Sequence, residues 1–311
     1  MNNNNTRRQE RWVALENTLM HYLPNWLRRL GRPAWSKLTE NLSLKKKSAL
    51  ALEVHIVEHC NLNCAYCTHF SPIAGQSFVD VDALEKDFKR LGELTGGRVQ
   101  KLTLMGGEPL LHPRITDIIK MTARHFDFAP PRKSSVHEGG IILTNGLLLL
   151  KQSEEFWEAC ACANISVSIS PYPIKLDIDM IKAKAKEHGV VFNAGGGARK
   201  TMIRIPLDIE GRQNIEATFR KCGQKNKCVN LKNGRLFTCP TAAHIHHFNS
   251  YFNKNLETSE KDYIDIHGAS NIDQILDFLR KPIPFCRYCD YARADWNLKW
   301  KATQKDIREW T

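Results

Sequence analysis

The sequence lacks the long apolar runs that a membrane protein needs, because none of its 311 residues lies in a stretch of eighteen or more apolar side chains. Residues 1–8 are rich in asparagine and arginine and lack the apolar segment of a secretory signal. The ten cysteines are mostly grouped, unlike the scattered cysteines of a disulfide framework. These absences argue against a secreted or membrane-spanning protein, and we expect a cytoplasmic one.

The chain is basic, with a formal net charge of +12, and part of this excess is concentrated in residues 1–50. The same segment carries Trp12, Tyr22, Trp26 and Trp35, and it predicts a helical N-terminal extension. Such a helix usually packs against the main body with its charges in solvent. Peripheral contact with an anionic membrane surface is the alternative. Basicity also suits phosphorylated ligands, and we do not expect nucleic acid as a partner.

Three cysteines lie close together directly after the apolar stretch from Val54 to Val57, at Cys60, Cys64 and Cys67. Thiolates in one short loop can bind a single iron–sulfur cluster, because soft sulfur ligands favour iron and zinc over hard cations. Three ligands would leave one iron of a four-iron cluster without a protein donor. A zinc site with His59 or His69 as the fourth ligand, or half of a disulfide framework, are the alternatives.

This loop has three residues and then two between its cysteines, with Tyr66 before the last one, and it resembles the radical S-adenosylmethionine (SAM) superfamily. The resemblance implies a [4Fe-4S] cluster that binds SAM at its open iron, with Tyr66 among the cofactor-contacting residues. It also implies reductive cleavage of SAM to a 5′-deoxyadenosyl radical, with an electron donor of the flavodoxin or ferredoxin type.

A second motif, Gly106-Gly107-Glu108-Pro109, follows the apolar segment Lys101–Met105, about forty residues after the cysteine loop. Glycines allow a close approach to the backbone, and carbonyl and carboxylate oxygens accept hydrogen bonds from an ammonium. The resemblance implies that this segment holds the amino group of SAM. An ordinary turn between a strand and a helix is the alternative.

Two further predicted strands also end in polar residues. Asn145 follows the third strand, while Ser168 and Ser170 lie at the end of the fourth. The resemblance places these three residues along the ribose and methionine of SAM. Turn formation alone is the alternative for each of them.

Strand-like and helix-like segments alternate through the first two thirds of the chain, which is typical of an α/β protein with a parallel sheet. Strands are predicted near 53–58, 101–105, 140–144, 165–169, 189–194 and 201–205, with helices near 80–95, 113–125, 153–162 and 176–187. Six strands are too few for an eight-stranded barrel. With the resemblance, they indicate a partial (β/α)6 TIM-like barrel over residues 51–215, whose functional residues gather at the carboxyl ends of the strands.

The later part of the chain contains five more cysteines around a predicted hairpin, Val229–Thr238, with an Asn-Gly turn. These cysteines are Cys222, Cys228, Cys239, Cys286 and Cys289. Residues 216–293 resemble the twitch or SPASM module, a small cluster-binding β-hairpin domain, which implies an auxiliary [4Fe-4S] cluster. Whether Cys222 or Cys228 is the ligand stays open, and a four-cysteine zinc ribbon is the alternative.

Other groups receive simpler predictions. We take Cys160 and Cys162 as core thiols, and the histidines His244, His246 and His247 as loop residues at the surface, one of which could face the substrate or the cluster. Residues 294–311 are predicted to form a C-terminal helix that covers the barrel.

The predicted function is hydrogen abstraction from a small molecule, and a sugar, nucleotide-sugar or aminocyclitol is favoured. The fifty leading residues are too few for a peptide-recognition domain, which makes peptide modification the second hypothesis. A non-catalytic zinc or cluster protein that binds nucleic acid is the third, although it leaves the segment from Gly106 to Pro109 without a purpose.

Overall fold

The computed structural model describes residues 48–131, 138–195, 201–225 and 227–311. Residues Ser48–Thr311 form one compact unit. The predicted helix of the N-terminal extension, and any membrane contact through it, therefore fall almost wholly outside the described residues. Within them, no helix combines the length and the apolar character needed to cross a bilayer.

Ten strands and seven α-helices make up the described part of the chain. The strands are β1 (Ser48–Val57), β2 (Val99–Gly106), β3 (Gly139–Thr144), β4 (Ile165–Ile169), β5 (Phe192–Asn193), β6 (Thr201–Arg204), β7 (Val229–Lys232), β8 (Arg235–Phe237), β9 (Tyr263–Asp265) and β10 (Asp295–Lys299). The helices are α1 (Val81–Thr95), α2 (Ile115–His125), α3 (Glu154–Cys162), α4 (Ile178–Glu187), α5 (Ile215–Lys221), α6 (Pro240–Phe252) and α7 (Ile272–Leu279).

Eight of the strands form one sheet in the order β5-β4-β3-β2-β1-β7-β8-β9. Strands β1 to β5 are parallel, and each is followed by one of the helices α1 to α4 before the next begins. Capping residues determine where these helices begin and end. At the start of α1, the Asp80 side chain accepts a hydrogen bond from the Ala83 amide, and Gly96 ends the helix in the left-handed conformation. The predicted α/β fold with a partial TIM-like barrel is confirmed.

The sheet is buried on both faces, and the two faces differ in chemistry. Alternate residues such as Leu52, Val54 and Leu104 join the apolar core beneath the helices. The residues between them are polar and also buried: Glu53, His55, Thr103, Ser166, Ser168 and Asn230. Register places them side by side, since Glu53 lies opposite both Thr103 and Asn230. We call this set the polar inner face; fully buried parallel strands are usually apolar on both sides.

Strand β6 forms where it was predicted, but its place in the barrel is not the predicted one. It pairs antiparallel with β10 in a separate two-stranded sheet. The other edge of β1 is covered by β7, parallel to it through Leu52–Val54 and Val229–Leu231. Local periodicity specifies a strand but not its partner, which long-range packing decides.

The hairpin of the C-terminal module also forms as predicted, with Asn233 and Gly234 at positive φ in its turn. Because β7 pairs with β1, however, this hairpin extends the barrel sheet instead of forming a sheet of its own.

The helix predicted over residues 294–311 is wrong. The segment contains β10 and a short 3-10 turn, Ile307–Glu309. Trp296, Leu298 and Trp300 alternate with polar residues, and this period of two suits a strand.

Candidate functional site

The cysteine loop begins directly after β1, so Cys60, Cys64 and Cys67 lie at the carboxyl end of the parallel strands. All three line one cavity that is partly open to solvent. Of the predicted cofactor-binding residues, the same cavity is lined by Tyr66, Gly106, Gly107, Asn145 and Ser170. The fold thus brings together the predicted cluster ligands and most of the predicted SAM-contacting residues.

The sulfur atoms of the loop receive hydrogen bonds from nitrogen donors. The Leu62 amide lies 3.3 Å from Cys60 Sγ, and the Trp300 indole Nε1 lies 3.1 Å from Cys64 Sγ. Burial raises the pKa of Cys60 to about 12. At Cys67 burial also acts to raise the pKa, but the hydrogen bonds and charge of His69 together with the hydrogen bond from the Ser71 backbone outweigh it and lower the pKa. N–H donors beside three cysteine thiols in one cavity fit a thiolate-bound iron–sulfur cluster, because a bound cation favours the thiolate form.

The two glycines of the second motif face backbone rather than open space. A Cβ on Gly106 would lie 2.1 Å from the Val57 carbonyl oxygen, and one on Gly107 would lie 2.1 Å from that of His59. The Gly107 amide donates to Val57 O at 2.8 Å, and the Glu108 amide donates to His59 O at 3.1 Å. The glycines therefore let β2 end against the start of the cysteine loop.

The carboxylate of Glu108 is fully buried and does not line the cavity. It accepts hydrogen bonds from the Thr144 hydroxyl at 2.6 Å, the Asn145 amide at 2.8 Å and the Leu110 amide at 3.1 Å. It joins the ends of β2 and β3, with its pKa raised by burial. Pro109 is also buried and begins a short 3-10 turn. The carboxylate thus links the two strand ends, and the contact between this segment and the amino group of SAM stays a prediction.

The remaining predicted contacts divide between the cavity and the polar inner face. Asn145 Nδ2 donates to Asn61 Oδ1 at 2.7 Å and lies 3.8 Å from Cys60 Sγ, which joins the third strand end to the cysteine loop. Tyr66 adopts a left-handed φ of 64° beneath the cations of Arg204 and Lys301. Ser168 does not line the cavity; its buried Oγ lies on the polar inner face without a hydrogen-bond partner in the described residues.

A C-terminal segment that we call the strap, residues 300–310, covers the cysteine loop. The Ala65 amide donates to Lys301 O at 3.0 Å, the Thr303 amide donates to Asn63 O at 2.9 Å, and Trp310 Nε1 donates to Cys67 O at 2.8 Å. The sequence analysis missed this contact. The clustered tryptophans were its one signal, and they do not specify where the segment docks.

A second cavity is lined by four cysteines, Cys222, Cys239, Cys286 and Cys289. All four thiols are free, and burial raises the pKa of Cys239 to about 12. Cys228 does not line this cavity. It lies beside Glu53 on the polar inner face, with its pKa raised by burial and by that carboxylate. Of the two cysteines between which the sequence leaves the choice open, Cys222 lines this cavity and Cys228 does not.

Two predictions about single residues need correction. Cys160 is buried, as expected of a core thiol, but Cys162 is exposed. The histidines after Cys239 lie in α6 and not in a loop, and His244 is fully buried against the polar inner face. Proline at the start of this helix is also common in turns, so the sequence alone suggests a loop here.

Residues 54–172 match the Radical SAM superfamily. A GTP 3',8-cyclase from Chlorobaculum tepidum is 32% identical over 108 residues, which cover 35% of this chain and 29% of the relative. A GTP 3',8-cyclase from Aliarcobacter butzleri is 30% identical over 108 residues, with 31% of its length covered. The chain therefore spans less than a third of either relative.

Two solved structures give partial matches to the chain. BtrN in complex with AdoMet and 2-DOIA gives a TM-score of 0.46 at 15% identity, covering 77% of this chain and 92% of that one. Streptococcus suis SuiB bound to S-adenosylmethionine gives 0.37 at 16% identity, covering 79% and 57%. The family match lies on the segment that carries the three clustered thiols and the Gly-Gly-Glu-Pro motif. The chain therefore contains a domain of the Radical SAM superfamily, which spans residues 54–172.

Proposed function

We propose that this protein is a radical SAM enzyme that holds a [4Fe-4S] cluster through Cys60, Cys64 and Cys67 and binds SAM in the adjoining cavity. The observation that carries the proposal is that one cavity brings together three cysteine thiols and the polar ends of the neighbouring strands. When bound, the cluster and SAM supply a 5′-deoxyadenosyl radical that abstracts a hydrogen atom from the substrate. A flavodoxin or ferredoxin would provide the electron.

The residues of the chain position and shield this chemistry. Asn145 and Ser170 offer amide and hydroxyl groups to SAM from the strand ends. Glu108 fixes the Asn145 backbone from beneath, at 2.8 Å. Trp300 and Trp310 place the strap over the cysteine loop, which limits the access of water to the sulfurs.

We further propose that the second cavity holds an auxiliary [4Fe-4S] cluster through Cys222, Cys239, Cys286 and Cys289. The convergence of four free thiols on one small, mostly apolar cavity supports this assignment over one that uses Cys228. A four-thiolate zinc site has the same donors, so metal analysis must distinguish the two.

The proposed substrate is a sugar, nucleotide-sugar or aminocyclitol. Buried polar atoms without a described partner support a hydroxyl-rich ligand, among them Thr103 Oγ1, Ser168 Oγ and Asn193 Nδ2 on the polar inner face. The names of the relatives, GTP 3',8-cyclase, are compatible with a nucleotide-linked substrate. Peptide modification is the alternative, and a metabolite comparison between cells with and without the gene would identify which compound accumulates.

Three single substitutions test the two cluster sites. We expect anaerobically reconstituted protein to hold about eight irons, and Cys64→Ala and Cys289→Ala to hold about four each. With SAM and dithionite, Cys64→Ala should form no 5′-deoxyadenosine, because the first cluster is lost. The exposed Cys162→Ala is the matched control and should behave as the unaltered protein. Zinc in place of iron at both sites would refute the proposal.

A further inference from the structure

A cluster of two histidines and a carboxylate includes one residue of the polar inner face, and none of its three members lines either cysteine cavity. It consists of His55 on β1, Glu58 just after β1, and His244 on α6. Their nearest ligand atoms, one from each residue, all lie within 4.8 Å of one another. His244 is fully buried and His55 is 94% buried, since only 6% of its surface is exposed. Two imidazoles and a carboxylate at such separations are the donor set of many divalent-metal sites.

The hydrogen bonds of Asn230 fix the tautomer of His244. Asn230 Nδ2 donates to Glu53 Oε2 at 3.1 Å and to the Cys228 carbonyl at 3.0 Å, so its Oδ1 must face His244 Nε2, 3.1 Å away. That oxygen can only accept, and Nε2 therefore carries the proton. Burial lowers the pKa of His244 to about 3, so the ring is neutral and Nδ1 presents a lone pair.

This lone pair faces a second acceptor. His244 Nδ1 lies 3.1 Å from Glu58 Oε2, an oxygen that also lies 2.6 Å from His247 Nε2. Two acceptors at this separation repel each other unless positive charge lies near both of them. A spacing of roughly 3 Å is also what two ligands of one tetrahedral metal ion adopt, given metal–ligand bonds of about 2.0–2.1 Å.

His55, the third member of the cluster, gives an independent indication that this place binds a ligand. Both ring nitrogens of His55 are buried without a hydrogen-bond partner in the described residues, and its ring stacks on His244 with the centroids 3.9 Å apart. One nitrogen of every neutral imidazole must carry an acceptor lone pair, and a buried polar atom without a partner is costly. A metal ion would satisfy that nitrogen.

We propose that His55, Glu58 and His244 bind a divalent first-row transition-metal ion, separate from any iron–sulfur cluster. Two histidines and one carboxylate leave further coordination positions open, as in catalytic zinc and non-haem iron sites. Asn230 is the orienting partner of His244, which matches the usual pairing of a ligating histidine with a second acceptor. The site does not depend on the proposed radical chemistry.

Lys232 competes for the same groups. Its ammonium lies 2.9 Å from Glu58 Oε1 and 3.4 Å from His244 Nδ1, and burial lowers its pKa. A bound dication would repel this ammonium and would require it to move away or lose its proton. Removal of the lysine charge should therefore strengthen metal binding, while a purely structural ion pair predicts no metal binding at all.

Manganese is a suitable probe, because Mn²⁺ prefers oxygen and nitrogen ligands to the thiols of this chain. Cluster-loaded, oxidised protein would be titrated with Mn²⁺, and free ion would be measured by electron paramagnetic resonance. We expect one site per chain. Glu58→Gln and His244→Asn should weaken binding by at least about tenfold, and Lys232→Met should strengthen it by about tenfold.

The control is His267→Asn, which alters a comparably close histidine–carboxylate pair outside the proposed site, where His267 Nε2 lies 2.8 Å from Asp87 Oδ1. It should bind Mn²⁺ as the unaltered protein does. A misfolded protein would not bind Mn²⁺ more strongly, so stronger Mn²⁺ binding by Lys232→Met cannot result from misfolding. This variant therefore keeps the test decisive even if the other variants are unstable. Two results would overturn the proposal. One is that neither the unaltered protein nor Lys232→Met binds Mn²⁺, and the other is that all variants bind Mn²⁺ equally. Iron content and 5′-deoxyadenosine formation report separately on the radical SAM assignment.

Discussion

At the scale of single residues, the feature with the clearest functional consequence is a hydrogen bond that one side chain donates to a cysteine sulfur. The Trp300 indole reaches Cys64 Sγ at 3.1 Å from a strap that is distant in sequence. Hydrogen bonds to cysteine sulfur stabilise the reduced, more electron-rich state of an iron–sulfur cluster and thereby raise its reduction potential. Trp300 is accordingly a positioning and tuning residue of the proposed first cluster.

Trp300→Phe removes this donor while it keeps an aromatic ring. The reduction potential changes only by the difference in hydrogen-bond strength between the oxidised and the reduced cluster. We therefore expect the potential of the first cluster to fall by on the order of 50 mV. Redox titration followed by electron paramagnetic resonance measures this shift directly. Trp296→Phe, in a half-exposed side chain outside the strap, is the control. An unchanged or higher potential in Trp300→Phe would contradict the assigned role.

The strap as an element is stabilised mainly by its last tryptophan. Trp310 is only 4% exposed, packs near Phe70 and Phe252, and donates to the Cys67 carbonyl. Because this carbonyl belongs to the cysteine loop, the packing of the strap and the geometry of the three thiols are coupled.

Trp310→Ala should lower the free energy of unfolding by about 3–5 kcal/mol, the usual cost of removing a buried tryptophan. Denaturant titration checks this value, and the rate of iron release to a chelator should rise with it. Trp296, which is 46% exposed, provides the comparison: its change to alanine should cost less than about 1 kcal/mol. Equal losses for both variants would show that the strap does not support the loop.

Sequence patterns predicted where strands and turns form better than they predicted which segments pair or pack together. Strands β1 to β4 follow from short apolar runs, and the cysteine loop and the Asn233–Gly234 turn follow from spacing. The pairing of β6 with β10, the docking of the strap and the inward face of His244 arise from contacts between distant segments, which no local pattern encodes. Glu108 shows the same limit, because its residue type suits both a ligand and a buried strand contact.

The whole described unit is organised around one continuous sheet. Strand β1 pairs with β2 on one side and with β7 on the other, so the barrel and the hairpin of the second cysteine cavity share a strand. Segments that share a sheet in this way tend to unfold together. We therefore expect Ser48–Thr311 to behave as one cooperative unit.

A change in the hairpin turn tests this cooperativity. Gly234 has a φ of 72°, and a Cβ there would lie 3.0 Å from His267 Cδ2, so Gly234→Ala should cost about 1–2 kcal/mol. Hydrogen exchange under weakly destabilising conditions should accelerate by the same factor in peptides from β1 and β7. Gly268→Ala is the matched control, since the nearest atom to its Cβ would be 3.9 Å away. Faster hydrogen exchange in the hairpin alone would show that the hairpin and the barrel unfold as two separate units.

The outermost strands of the sheet are short, β5 with two residues and β9 with three. Outer strands expose unpaired amide and carbonyl groups that can recruit strands from other molecules, and brevity limits the length of such pairing. The strands β1 to β4, which carry most of the polar inner face and lead to the cysteine loop and the other polar strand ends, lie inside the sheet, where both of their edges are already occupied. At high concentration, therefore, the borders of this sheet should be poor templates for aggregation.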